Sequence, residues 1–170
     1  MTSLASSERL EIKALKPENQ SRYFELIATP SWGKYDEEFP KTGAAALEAF
    51  EYSRDMPVNS INEWNEYALF LKETGNMIGM VSHFNRVDAR LGTVAKIGYH
   101  LDPALHGRGL GREAADLLLS FLKGNGVNYA EALVDYQNDA SINILTKAGF
   151  ARLESSLCGA GEHYYRLRLR

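Results

Sequence analysis

The chain has 170 residues, 45% hydrophobic and 24% charged, with a formal net charge of −3. That length carries one domain around one sizeable core, and the composition excludes a disordered or fibrous chain. The near-neutral charge, with no basic run, excludes nucleic acid as the main partner, and no apolar run approaches the roughly 20 residues that span a bilayer.

The residues before Leu10 are polar and lack the apolar stretch of a signal peptide. Leu10, Ile12 and Ala14 alternate with Glu11 and Lys13, which predicts a half-buried strand. Pro17 opens a helix with Tyr23, Phe24 and Ile27 on one side. The aromatic stretch from Trp32 to Phe39 reads as a loop, and Thr42 to Arg54 as a second helix capped by Thr42 and stopped before Pro57. Three consecutive strands follow, Glu66 to Lys72, Met77 to Phe84 and Thr93 to Leu101. Arg108 to Lys123 is the clearest helix, with Ala114, Ala115, Leu118, Leu119 and Leu122 at three- and four-residue spacing. Tyr129 to Asp135 is a strand, Asp139 to Lys147 a short helix ended by Gly149, and Phe150 to Ser155 and His163 to Leu169 the last two strands. The one cysteine, Cys158, has no internal partner, so a reducing, cytoplasmic setting is expected. The fold class expected is α/β (α+β): a single domain over residues 1–170 with a mixed, mostly antiparallel sheet of about seven strands flanked by helices.

The informative segment is the turn His106-Gly107-Arg108-Gly109-Leu110-Gly111-Arg112, between a strand and the amphipathic helix. A helix's first N–H groups have no internal partner, and its dipole adds positive charge there. Glycines let a phosphate approach the backbone, and Arg108 and Arg112 would add charge-assisted contacts. A dinucleotide fingerprint beginning at Gly107 needs a third glycine where Arg112 stands, and the preceding strands look like hairpins, not a βαβ unit. A P-loop needs Lys and a hydroxyl after its last glycine, where Arg112 and Glu113 stand instead.

His106-Gly107-Arg108-Gly109-Leu110-Gly111 resembles the Gln/Arg-x-x-Gly-x-Gly/Ala signature of the GNAT acetyltransferases, with His106 in place of Gln or Arg. Asn138-Asp139-Ala140-Ser141, followed by Lys147-Ala148-Gly149-Phe150, is similar to the Asn-x-x-Ser…Lys-x-Gly-Phe segment of the branch that acetylates N-termini of ribosomal proteins (RimJ/RimL-like). Ile97 to Pro103 resembles that branch's fourth strand. The resemblance implies acetyl-CoA as co-substrate, no metal, and two strands that splay apart beside a bulge. The pantetheine arm would pair with the backbone of Tyr99, His100 and Leu101, the diphosphate would lie on the amides of His106, Gly107, Arg108, Gly109, Leu110, Gly111 and Arg112, and Asn138 and Ser141 would line the far side near the sulfur.

The reaction implied is direct transfer of acetyl to a neutral amine. An α-amine of pKa roughly 8 costs about 1–1.5 kcal/mol to deprotonate at pH 7, a lysine of roughly 10.4 about 4–5. The Leu101 amide is the candidate oxyanion donor. The family often places a Glu where this chain has Lys96, so the base candidates are His100, His83 and Glu66; His83 and His100 also suit ordinary sheet positions, and Glu66 a solvated strand end. Ser141 is the candidate acid, because Leu145 occupies the position where a related branch carries a tyrosine. Asn138 also suits a helix cap. Trp32, Gly33, Lys34, Tyr35 and Phe39 are candidates for an acceptor pocket. The acceptor is expected to be a peptide N-terminus or a small molecule such as an amino acid, polyamine or aminoglycoside, and a mildly acidic surface suits a cationic amine. A homodimer is left open, and a non-catalytic acyl-CoA-binding module is the alternative from a different class.

Overall fold

The computed structural model describes residues 3–30, 32, 34 and 43–170. The elements are β1 (Ala5–Ser6), β2 (Leu10–Ala14), α1 (Gln20–Ile27), α2 (Gly43–Asp55), β3 (Trp64–Leu71), β4 (Asn76–Asp88), β5 (Gly92–Leu101), α3 (Leu110–Gly124), β6 (Tyr129–Asp135), α4 (Asp139–Lys147), β7 (Ala151–Leu153) and β8 (Glu162–Arg168). The eight strands form one sheet in the order β1-β2-β3-β4-β5-β6-β8-β7. The seven expected strands and four expected helices are present. The eighth strand, the two-residue β1, is too short to leave a periodic signal. The expected Thr42 cap and most of the aromatic loop lie outside the described residues.

Every neighbouring pair is antiparallel except β5 and β6, which run parallel because α3 carries the chain back over one face. The glycine turn therefore does open a β–α–β crossover, contrary to the hairpin reading of its context. The dinucleotide pattern still fails on Arg112.

The sheet has a core on each side. Alternate residues of the central strands, including Tyr67, Leu69, Val81, Ala95, Ile97 and Ala130, meet the apolar stripe of α3 on one face. Ala68, Phe70 and Met80 point the other way and meet Tyr23, Leu26 and Ile27 of α1, Ala46 and Phe50 of α2, and Trp32. Burying each Leu-sized chain contributes about 1.5–3 kcal/mol, so α3, with Leu110, Leu117, Leu118, Leu119, Phe121 and Leu122 buried, is firmly anchored.

Candidate active site

Gly109 is the N-cap of α3, with φ 76°, and Gly107 has φ 77°. These left-handed conformations strain any residue with a Cβ. The intrahelical ladder of α3 begins with the Glu113 amide donating to the Gly109 carbonyl at 3.1 Å. Among the described residues, none of the amides from Gly107 to Arg112 donates to a protein acceptor. A side chain at Gly111 would start 3.2 Å from Ile144 Cδ1, so this turn also sits close against α4. Arg9 adds a charge that sequence reasoning missed. Its guanidinium bonds the Arg108 carbonyl at 3.0 Å and Glu113 Oε2 at 2.6 Å. Only the packing of β2 beside α3 creates this contact, so no local pattern could have found it. Arg112 is already engaged by Asp116 at 2.8 Å, whereas Arg108 is exposed and has no carboxylate partner among the described residues.

β5 and β6 pair only at Val94↔Tyr129, Ala95↔Ala130 and Lys96↔Glu131, then diverge. Past Lys96 no strand among the described residues pairs with one edge of β5. The Thr93 carbonyl accepts from Asn128 on the β6 side, and the Asp102 amide donates to Ile78 of β4. Backbone groups alternate in direction along a strand, so those of Ile97, Tyr99 and Leu101 face the opening, and those of Gly98 and His100 face β4. The expected backbone donors are thus corrected at one position: His100 lies in the β4 ladder, and Ile97 takes its place. The expected bulge is also absent from β5, which keeps unbroken register with β4 from Gly92↔Asp88 to Leu101↔Gly79. The recorded register shift lies on the β3–β4 pair, where Phe70 faces Met77 and Leu69 faces Gly79. The opening arises from strand divergence and needs no extra residue. At its far end His106 Nε2 lies 3.3 Å from the Leu101 carbonyl.

On the α3–α4 face, the opening is closed by a hydroxyl pair. Tyr99 Oη lies 2.9 Å from Ser141 Oγ. Asn138 caps α4, its side-chain oxygen accepting from the Ser141 amide at 3.2 Å. Burial pushes the Tyr99 phenol above its usual range, although the bond to Ser141 works the other way. The Tyr99 side chain was not among the sequence candidates, yet strand alternation puts it on the same face as Ile97 and Leu101, towards α4.

The opposite face carries Glu66. It pairs with Ser82, which pairs with Gly98, so the three lie in one row across the sheet. Gly98 leaves that row bare beside the opening; a Cβ there would meet Ser82 Oγ at 2.7 Å. Glu66 is inside β3, not a solvated strand end. The residue keeps some exposed surface, but its carboxyl is surrounded by protein, and burial pushes it up to about 7 against the opposing hydroxyls of Tyr23 and Ser53. One row on, His100 shares this face with Ala68 and Met80 and stacks on Trp32 at 4.9 Å between ring centres.

His83 lies on the other side, fully buried beneath α3 between the rings of Tyr67 and Phe121. Its Nδ1 lies 2.9 Å from the side-chain oxygen of Asn85, which only accepts, so Nδ1 carries the proton and Nε2 is an unpartnered acceptor. Burial holds it down to about 4. That placement takes His83 out of the base candidates and leaves Glu66 and His100. Lys96 stands at the last β5–β6 pair, its ammonium 5.5 Å from the centre of the Trp64 ring.

Residues 9–151 match the family described as Acetyltransferase (GNAT) domain. The chain is 33% identical over 108 residues to the mycothiol acetyltransferase of Streptomyces coelicolor, spanning 61% of this chain and 34% of that one. It is 37% identical over 84 residues to the N-alpha-acetyltransferase RimI of Mycobacterium tuberculosis, spanning 46% of this chain and 48% of that one. The chain thus spans less than half the length of these curated relatives. Among solved structures, a GNAT-family acetyltransferase from Bacillus anthracis superposes with a TM-score of 0.80 at 17% identity, covering 97% of this chain and 98% of the other. A RimL ribosomal L7/L12 alpha-N-protein acetyltransferase in complex with coenzyme A superposes with a TM-score of 0.75 at 15% identity, covering 98% of both. The chain belongs to the GNAT family of acetyltransferases, enzymes that use acetyl-CoA.

Proposed function

We propose that this chain transfers the acetyl group of acetyl-CoA directly to a primary α-amine, with both substrates bound together at the β5–β6 opening. The observation that carries this reading is the opening itself. Unpartnered amides lie at one end, a hydroxyl pair on one face, and a carboxyl with a pKa of about 7 on the other.

Acetyl-CoA supplies an activated acetyl group as a thioester. The amides of Gly107 to Arg112, with Arg9 and Arg108 nearby, fit its diphosphate. The free backbone edge of Ile97, Tyr99 and Leu101 fits the amide-bearing arm, as an added strand would. The Leu101 N–H stabilises negative charge developing on the thioester oxygen. Holding both reactants in place supplies on the order of 7–11 kcal/mol of the barrier. Ser141, backed by Tyr99, donates a proton to the leaving sulfur and regains one, through water, as the nitrogen of the tetrahedral intermediate loses its second proton. Glu66 accepts the proton of the attacking ammonium across the bare row at Gly98. Two strand spacings of about 4.8 Å separate β3 from β5, so that transfer runs through water.

The base strength selects the acceptor. A carboxyl titrating at about 7 is nearly matched to an α-amine of roughly 8 and poorly matched to a lysine or alkyl polyamine of roughly 10.4. An N-terminal acceptor also accords with the RimI relative. We infer that residues 1–170 form one acetyltransferase domain and that it works in the cytoplasm.

Thiol release from acetyl-CoA, followed with a panel of peptides, amino acids and polyamines, tests this. Release that depends on an α-amine is expected. Tight coenzyme A binding with no amine-dependent release would make the chain a binding module instead.

A further inference from the structure

Beside the opening, on the Glu66 face, lies a cavity of about 320 Å³ that is lined by no helix among the described residues. Trp64, Phe84 and Tyr164 wall it, and Arg86, Lys96 and Glu131 supply its charges. Glu131 is 5% exposed, and both its oxygens are occupied. Arg86 Nη2 donates to Oε2 at 3.0 Å and its Nε to Oε1 at 3.4 Å, and the Tyr164 hydroxyl donates to Oε2 at 2.7 Å. Arg86 also pairs with Asp88 at 3.2 Å. Both oxygens of this carboxylate are therefore engaged within the fold and are not offered to a cationic ligand.

Lys96 differs from Arg86. No carboxylate lies within salt-bridge distance of its ammonium among the described residues; it rests over the Trp64 ring, the weaker kind of partner. Lys96 is thus the one cation lining the cavity that, among the described residues, no carboxylate engages within salt-bridge distance, and it is held beside an aromatic surface. Lys96 and Gly98 are two residues apart on β5, roughly 7 Å along the strand and on the same face. A group bound at Lys96 lies a few bonds' length from an amine placed over Gly98.

We propose that the acceptor carries a carboxylate close to its reacting amine. The carboxylate seats on Lys96, and the adjoining apolar part of the acceptor seats against Trp64 and Phe84. This rests on the acetyl-transfer reading and narrows it. It reverses the expectation from net charge that a cationic amine is favoured, and it disfavours polyamines and aminoglycosides, which would bring further positive charge to Lys96. The carboxylate comes either from the side chain of an acidic residue at or near a protein N-terminus, or from the α-carboxylate of a free amino acid.

The test uses the full chain and five acceptors: a C-terminally amidated peptide beginning with glutamate, the same peptide beginning with glutamine, free glutamate, glutamine amide and spermidine. The acidic peptide, free glutamate or both should exceed their neutral counterparts in kcat/KM by about tenfold or more, chiefly through KM, with spermidine poorest. Preference for the acidic peptide alone assigns the carboxylate to a side chain, and preference for free glutamate alone assigns it to the α-carboxylate. Lys96→Glu should invert the order, raising spermidine and lowering the acidic acceptors, while the KM for acetyl-CoA stays unchanged; Lys96→Gln should level it. Thiol release that ranks spermidine first in the parent chain, or a ranking that survives Lys96→Glu, overturns the proposal and leaves acetyl transfer standing. No release with any acceptor removes the transfer reading and this inference with it.

Discussion

The two faces of the β5–β6 opening are assembled differently. On the α3–α4 face, the groups proposed to hold the acetyl donor come mostly from one continuous stretch, Ile97 to Ser141, and most are backbone amides and carbonyls. On the opposite face, Tyr23, Ser53, Glu66, Lys96 and Tyr164 come from α1, α2, β3, β5 and β8, and all act through side chains. A site made of backbone needs only the right fold and a few glycines. If the proposed acceptor face is made of side chains from five elements, a substitution there should alter acceptor use without disturbing coenzyme A binding. Gly109 and Lys96 are thus different kinds of position.

The largest effect expected from breaking this division is on the donor side. Gly109→Glu places a Cβ at φ 76° and a carboxylate among the phosphate-facing amides. Losing two or three charge-assisted hydrogen bonds should weaken coenzyme A binding by about 10³-fold or more, read by calorimetry. The circular dichroism spectrum should stay native, because the strain amounts to about 1–2 kcal/mol. On the acceptor side, Glu66→Gln should lower kcat by about 10²–10⁴-fold and leave the KM for acetyl-CoA nearly unchanged.

Smaller effects sharpen the comparison. Ser141→Ala and Tyr99→Phe should each slow turnover by about tenfold and weaken coenzyme A binding less, as separate kcat and Kd measurements would show. The double variant should be no slower than the worse single one, because the hydroxyls act as a pair 2.9 Å apart.

The smallest effects are on stability and have opposite signs at two residues. Glu66 is raised from 4.5 to about 7 in the fold, so the unfolded chain releases its proton first as pH rises. Stability falls between those values, by up to on the order of 3 kcal/mol. Glu66→Gln should therefore melt higher than the parent at pH 8 and equally at pH 4. His83 is lowered from 6.5 to about 4, so its contribution is present above 6.5 and is lost as pH falls towards 4. His83→Gln should flatten that acid limb in pH-dependent thermal melts.

What was legible in the sequence follows the same division. The glycine turn, the α3 stripe, the Asn138 cap and Ser141 are local patterns, and all are found at the predicted positions. Strand alternation also held the Tyr99–Ser141 contact, since it fixes the face of Tyr99. The parallel β5–β6 pair was hidden because a hairpin run ahead of α3 says nothing about the strand after it. The environments of Glu66 and His83 were hidden for another reason. Both sit on adjacent strands with similar neighbours, and only the register Asn65↔His83 and Glu66↔Ser82 sends them to opposite faces. One of the two then meets an opening and the other an aromatic core. Arg9 and the Glu131–Arg86–Tyr164 cluster depend on contacts between distant elements that leave no mark in local spacing.

The measurement that bears most directly on the two-faced site is the pH dependence of kcat/KM for an α-amine acceptor, in the parent chain and in Glu66→Gln. The parent should rise through an inflection near 7, set by the Glu66 carboxyl, and through a second at roughly 8 from the acceptor amine. The variant should lose the first inflection and keep the second. An inflection near 7 that persists in Glu66→Gln, at an unreduced rate, would contradict the assignment of Glu66 as the base and with it the division of the opening into a backbone-built donor face and a side-chain-built acceptor face.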